Sequence, residues 1–218
     1  MTKKAFIFDL DGVIVDTAKY HFLAWQKIAA ELGIEFTPEH NEELKGVSRV
    51  RSLDIILALG KITASQNDKD KWLKQKNEDY LSYLVNMDES EILPGVMQIL
   101  RFLKEKKQPI ALGSASKNAR PILEKTKTIS YFDAIIDGND VTHAKPDPEV
   151  FLQAAKALNI PNEDSIVFED SVAGIQAANI AKMTSIGIGE HSVLHEAQFI
   201  FPDFIHIDTS FIESLINK

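Results

Sequence analysis

Two carboxylates one residue apart, Asp9 and Asp11, follow directly on the apolar run Ala5-Phe6-Ile7-Phe8 and lead into Gly12. The run reads as a fully buried strand. Both acids therefore stand just past a strand's carboxyl end, where open α/β sheets bind ligands. Like charges this close repel unless a cation or a shared proton relieves them. Two further strand ends offer polar groups to the same edge: Ser114 after Ile110-Ala111-Leu112-Gly113, and Glu169 with Asp170 after Ile166-Val167-Phe168. Lys145 sits in the loop His143-Ala144-Lys145-Pro146-Asp147-Pro148, ahead of a helical stretch. Carboxylates and a cation gathered at one rim suit a hard divalent metal plus a phosphate. Magnesium takes one or two carboxylates, keeps waters and shares phosphate oxygens, while a lysine and a hydroxyl hold the remaining oxygens. Plainer roles stay open for single residues: Ser116 also fits a helix N-cap, and Glu169-Asp170 a helix-start pair facing the macrodipole.

Such an edge needs a parallel sheet to build it. The apolar runs alternate with helical stretches at 95–107, 118–127, 148–158 and 172–181, and Ala134-Ile135-Ile136 and residues 183–188 supply further strands. This alternation predicts an α/β fold, a doubly wound parallel sheet covered on both faces. Residues 16–91 break the pattern. Trp25, Ile28, Ala29 and Leu32 before Gly33, then Ile55, Ile56 and Leu59 before Gly60, then Trp72, Leu73, Tyr80, Leu81 and Leu84 keep helical spacing. The expected organisation is a catalytic core of residues 1–15 and 92–218 with an inserted helical cap domain over 16–91. Hinges near Val15-Asp16 and Ile92-Leu93-Pro94-Gly95 would let the cap close over the strand ends and exclude water.

A chain of 218 residues suits one large domain or a core with a smaller second one. Its formal net charge of −8 argues against a general nucleic-acid or anionic-membrane binder, yet leaves room for a small phosphorylated ligand held by local cations. The chain has no cysteine, which excludes disulfides, thiol catalysis and thiolate metal sites. No apolar stretch approaches the roughly 18 residues of a membrane span, and Met1-Thr2-Lys3-Lys4 does not open a signal peptide. A cytoplasmic monomer is expected.

The order Asp-Leu-Asp-Gly-Val at 9–13, Ser114, Lys145-Pro146 and Glu169-Asp170 resembles the haloacid dehalogenase-type phosphotransferase superfamily over the whole chain. Within it, Asp16-Thr17-Ala18, Tyr20-His21-Phe22, Leu44-Lys45-Gly46-Val47-Ser48-Arg49, Ser52-Leu53, Lys76-Asn77 and Ser114-Ala115-Ser116-Lys117-Asn118 resemble the phosphosugar mutases. The resemblance implies magnesium as cofactor, a sugar phosphate as the small-molecule partner, and an isomerase. It would interconvert β-D-glucose 1-phosphate and glucose 6-phosphate through an aspartyl-phosphate enzyme and β-glucose 1,6-bisphosphate. It makes Asp9 the nucleophile and Asp11 the general acid and base, with Ser114 and Lys145 holding the transferring phosphoryl group. Asp9, the Asp11 backbone carbonyl, Asp170 and Glu169 would surround the metal. A carboxylate suits the nucleophile's role because it is ionised at neutral pH without a base.

Lys45, Gly46, Val47, Ser48 and Arg49 offer backbone donors and a guanidinium suited to a second, non-reacting phosphate, which Ala115, Ser116 and Asn118 would reach from the core side. Thr17, Ser52 and Lys76 are expected near the substrate, and His21 either orients Asp11 or contacts the sugar. His40, His143, His191, His195 and His206 belong to no constellation, and residues 191–218 carry no chemical signal. Gly113, being small, is expected to loosen the strand end at Ser114. The competing readings are a magnesium-dependent phosphatase built on the same core, in which Asp11 activates water, and a non-catalytic phosphate- or magnesium-binding regulator.

Overall fold

The computed structural model describes residues 3–218. Six parallel strands form one sheet: β1 (Ala5–Phe8), β2 (Ile110–Gly113), β3 (Ala134–Ile136), β4 (Ser165–Glu169), β5 (Thr184–Ile188) and β6 (Phe199–Phe201), in the spatial order β3-β2-β1-β4-β5-β6. The chain winds outward from β1 to β3 on one side, then returns through β4 to β6 on the other. The winding reverses between β1 and β4, and the crevice beyond their carboxyl ends is the topological switch point where such sheets bind ligands. Register is set by the pairing of Phe8 with both Leu112 and Phe168.

Alternation along β1 explains its all-apolar sequence. Phe6 and Phe8 face one layer with α5 (Val96–Glu105), α6 (Ala119–Lys125) and α9 (Thr209–Ile216), while Ala5 and Ile7 face the other with α7 (Glu149–Leu158) and α8 (Val172–Ile180). Phe8 stacks on Phe168 with ring centroids 4.6 Å apart, and each such buried ring contributes roughly 1.5–3 kcal/mol. This packing makes the sheet edge rigid, as a site that must place several charged groups requires.

The insertion is helical: α1 (Ala18–Glu31), α2 (Pro38–Glu42), α3 (Arg49–Leu59) and α4 (Gln66–Tyr83). It has its own apolar cluster around Trp25, Ile28, Phe36, Leu53 and Ile56. Ser48 caps α3 by accepting from Arg51 N, and Ser65 caps α4 by accepting from Asp68 N. The base of the cap is continuous with the main core, because Ala24, Tyr80, Leu84 and Met87 join the cluster that contains Phe8. The two connections to the core run side by side, bridged at Val15 and Ile92, and Leu93 N donates to Ile14 O at 3.0 Å.

β6 and α9, in the C-terminal stretch, extend the sheet and cover it. One sequence expectation is corrected. Gly113 does not loosen its strand: a Cβ there would come within 2.9 Å of Phe151 Cδ1 and 3.1 Å of Ile7 Cγ2, so the absent side chain lets α7 pack tightly on β2. No helix among the described residues is long and apolar enough to cross a membrane.

Candidate active site

The carboxyl ends of β1, β2 and β4 bring Asp9, Ser114 and Asp170 to one cavity of about 380 Å³, roofed by the cap. Asp9, Asp11, His21, Lys45, Gly46, Val47, Ser48, Arg49, Ser52, Lys76, Ser114, Ala115, Ser116, Asn118, Lys145 and Asp170 all line it. Thr17 and Glu169 stand behind it.

On the core side, Lys145 Nζ donates to Asp9 Oδ1 and to Glu169 Oε1, both at 2.6 Å. Burial works to discharge the Lys145 ammonium, but the two carboxylates outweigh it and hold its pKa above the ordinary value. The other Glu169 oxygen accepts from Ser171 N at 2.7 Å and Ser171 Oγ at 2.9 Å. Both oxygens of this fully buried side chain are thus engaged, and Glu169 anchors Lys145 from behind the cavity wall. Burial pushes the Asp9 carboxyl above the usual range against the pull of Lys145. Asp170 is also pushed up, by burial and then by the charges of Glu169 and Asp9. A Cβ on Gly12 would meet Asp170 Oδ2 at 2.1 Å, so the positive φ of Gly12 and its bare Cα let Asp170 lie against the β1 turn. Asp9 and Asp170 turn hard carboxylate oxygens into the cavity, donors that suit a small divalent cation.

Asp11 turns the other way, toward the cap. Thr17 Oγ1 donates to Asp11 Oδ1 in a short hydrogen bond, and His21 Nε2 stands 3.6 Å from the same oxygen. Lys76 Nζ lies 2.9 Å from His21 Nδ1. An amine donating to Nδ1 leaves the proton on Nε2, facing Asp11. Burial works to raise the Asp11 pKa, but hydrogen bonding and charge from His21, joined by Thr17 and Lys76, hold it below the ordinary value. Thr17 is therefore a buried support for Asp11 instead of a substrate contact. The His21 ring packs on Tyr80 with centroids 4.3 Å apart, and Lys76 Nζ lies 4.6 Å from the Tyr80 ring centre and 5.1 Å from that of Trp25.

Arg49 opens α3 on the cap face, opposite Ser116 and Asn118 at the start of α6. Ser116 N donates to Ser114 Oγ at 3.1 Å, and Asn118 N to Ser116 Oγ at 3.3 Å. Ser48 and Ser52 spend their hydroxyls on the helix: Ser48 caps it, and Ser52 Oγ donates to Ser48 O at 3.1 Å. Cap and core meet at three points around the cavity. Lys45 Nζ is 2.8 Å from Glu42 Oε2 and 3.7 Å from Asp170 Oδ2, and Asn118 Nδ2 donates to Asn77 Oδ1 at 3.0 Å. A Cβ on Gly46 would strike Ser171 Oγ at 2.2 Å.

Trp25, Asn41, Val141 and Thr142 also line the cavity without a functional signal in the sequence; Trp25 carries only that of an apolar helix position, and Leu44 lines it as part of the run 44–49. Glu149 was missed as well. It accepts from His143 N at 2.7 Å and Thr142 N at 3.0 Å, so it braces the loop that presents Lys145.

The haloacid dehalogenase-like hydrolase family model matches residues 3–182. A beta-phosphoglucomutase of Bacillus subtilis is 42% identical over 86% of this chain and 84% of its own length. A phosphorylated carbohydrates phosphatase of Thermotoga maritima is 32% identical over 87% of each chain. The crystal structure of beta-phosphoglucomutase from Clostridium difficile superposes with a TM-score of 0.94 at 40% identity, covering 100% of this chain and 98% of that one. The family model spans most of the chain and the Bacillus subtilis relative matches it nearly end to end, so the chain belongs to the haloacid dehalogenase-like hydrolase family.

Proposed function

We propose that this protein is a cytoplasmic, monomeric, magnesium-dependent phosphosugar mutase that interconverts β-D-glucose 1-phosphate and glucose 6-phosphate, the reaction of a β-phosphoglucomutase. The observation that carries this reading is two sets of cationic and hydrogen-bonding groups lining one cavity, each suited to a phosphate: Lys145 and Ser114 with Asp9 on the core, and Arg49 on the cap facing Ser116 and Asn118 of the core. A phosphatase needs only the first. A mutase must hold one phosphate while it moves the other.

Asp9 attacks phosphorus and becomes an aspartyl phosphate. Lys145 and Ser114 neutralise and orient the phosphoryl oxygens, the positioning and charge stabilisation on which phosphoryl transfer depends. Asp11 delivers a proton to the departing sugar oxygen and later takes one from the attacking hydroxyl. Thr17 and His21 hold its carboxylate toward the cap and favour the ionised form in which it takes the proton of the attacking hydroxyl, the proton it then gives to the departing oxygen. Arg49, Ser116 and Asn118 anchor the idle phosphate, and β-glucose 1,6-bisphosphate reorients between the two transfers. Closure through Gly46 and Asn77 excludes water, favouring a sugar hydroxyl as acceptor. Asp9, Asp170 and the Asp11 carbonyl would hold magnesium, which supplies charge neutralisation to the transferring group.

The test is one reaction mixture of β-D-glucose 1-phosphate, magnesium and a trace of β-glucose 1,6-bisphosphate, followed for glucose 6-phosphate and inorganic phosphate together. Fast glucose 6-phosphate with little free phosphate supports the mutase. Free phosphate as the main product would replace it with the phosphatase reading, which the similarity to the Thermotoga maritima enzyme favours.

A further inference from the structure

Four lysines line the cavity, Lys45, Lys76, Lys117 and Lys145, and their surroundings separate them chemically. Lys145 is gripped by two carboxylates at 2.6 Å. Lys45 pairs with Glu42 at 2.8 Å and stands 3.7 Å from Asp170. Lys117 is exposed. Lys76 is only 2% exposed and has no carboxylate within ion-pair distance among the described residues. Its neighbours are His21 and Trp25 from α1 and Tyr80 from its own helix, while the charges of Arg49 from α3 and of Asp11, beyond His21, act on it. The two ring faces favour an ammonium, but burial and then the like charge of Arg49 outweigh them and bring the Lys76 pKa down to about 7. A lysine so placed carries a free electron pair near neutral pH, where an ordinary lysine is protonated.

We infer that Lys76 is a covalent capture site for aldehydes that bear a phosphate. The geometry needed is an amine in the cavity wall with a guanidinium lining the same cavity to receive the phosphate, and Lys76 and Arg49 supply both. The Nζ lone pair adds to the aldehyde carbon, and the carbonyl oxygen takes up a proton. The resulting carbinolamine expels water, leaving an imine between Lys76 and the ligand. No oxidant or reductant is consumed. The open-chain form of glucose 6-phosphate is such an aldehyde, so the enzyme would be slowly and reversibly occupied by its own product. The inference rests on the proposed reading of the cavity as a sugar-phosphate site, but its chemistry is separable from mutase turnover.

The experiment treats the magnesium-loaded full chain with pyridoxal 5′-phosphate, traps the imine with borohydride and maps the modified lysines by peptide mass spectrometry. Trapping at pH 7.5 is expected about tenfold faster at Lys76 than at Lys45, Lys117 or Lys145. The Lys76 rate should rise through pH 7 and level off below pH 9. Pyridoxal without its phosphate should react several-fold more slowly, and glucose 6-phosphate should protect. A Lys76→Arg variant should lose the fast phase. Modification spread over exposed lysines with Lys76 not ahead, a Lys76 rate still climbing above pH 9, or equal rates for pyridoxal and its phosphate would overturn the inference. Fast capture at Lys76 without glucose 6-phosphate formation from β-D-glucose 1-phosphate would uphold it and remove the mutase; turnover without capture would do the reverse.

Discussion

At the core edge, Lys145 lies between Asp9 and Glu169 with both contacts at 2.6 Å. On the cap face, Lys76 meets an imidazole and two aromatic rings and feels the like charge of Arg49. The two side chains are equally hidden, 3% and 2% exposed, yet the first is held charged and the second is pushed toward the neutral amine. The difference is in the partners. A buried charge persists where opposite charge repays desolvation, and it weakens where the neighbours are apolar or alike. The core edge is built to carry fixed charge against a phosphoryl group. The cap face is built around groups that can give or take a proton, with Asp11, His21 and Lys76 in a chain.

The comparison breaks most visibly at Lys145. Lys145→Met leaves Asp9 and Glu169 buried without their cation, and denaturation should show a loss of about 3–5 kcal/mol together with loss of turnover. A stability change under 1 kcal/mol would mean that the carboxylates are neutral and the pair is not ionic.

The next largest effect belongs to Arg49. Arg49→Ala should lower mutase flux by about a hundredfold, the value of a charge-assisted phosphate contact, and change hydrolysis of a small aryl phosphate by only a few-fold. Equal losses in the two assays would remove its role as the distal anchor.

The smallest effect is at Lys76, and its sign is opposite to that of Lys145. Folding lowers the Lys76 pKa from 10.5 to about 7. The unfolded chain therefore binds a proton that the folded protein lacks between those values. Stability contributed by the neutral amine is complete above pH 10.5 and declines as the pH falls toward 7. Lys76→Met removes this slope and should raise stability at pH 7, on the order of 1–2 kcal/mol. Urea denaturation of both proteins at pH 7 and pH 10 checks it; parallel curves would show that Lys76 folds as an ordinary ammonium.

Strand-end chemistry was legible in the sequence because a buried apolar run that stops at a polar residue puts that residue at the edge of the sheet. Asp9, Ser114 and Asp170 reach the cavity for that reason. Thr17 and Glu169 stand behind the cavity wall: residue type and position do not reveal whether a polar group faces a cavity or the back of another side chain. Tyr80 reads as one more apolar helix position, and its part as the platform for His21 and Lys76 depends on how α1 and α4 cross. β6 is three residues long, bounded by Gln198 and Pro202, too short for periodicity to register. Gly113 reads as a weak strand end until the Phe151 ring is seen against it.

The claim on which the account turns is that Asp9 carries the phosphoryl group while Asp11 moves the proton. Brief exposure of the magnesium-loaded enzyme to isotopically labelled β-glucose 1,6-bisphosphate, followed by a quench and peptide mapping, reads it directly. The account predicts label on Asp9 alone and none in an Asp9→Asn variant that has lost turnover. Label on Asp11, or glucose 6-phosphate formed at full rate by Asp9→Asn, would contradict it.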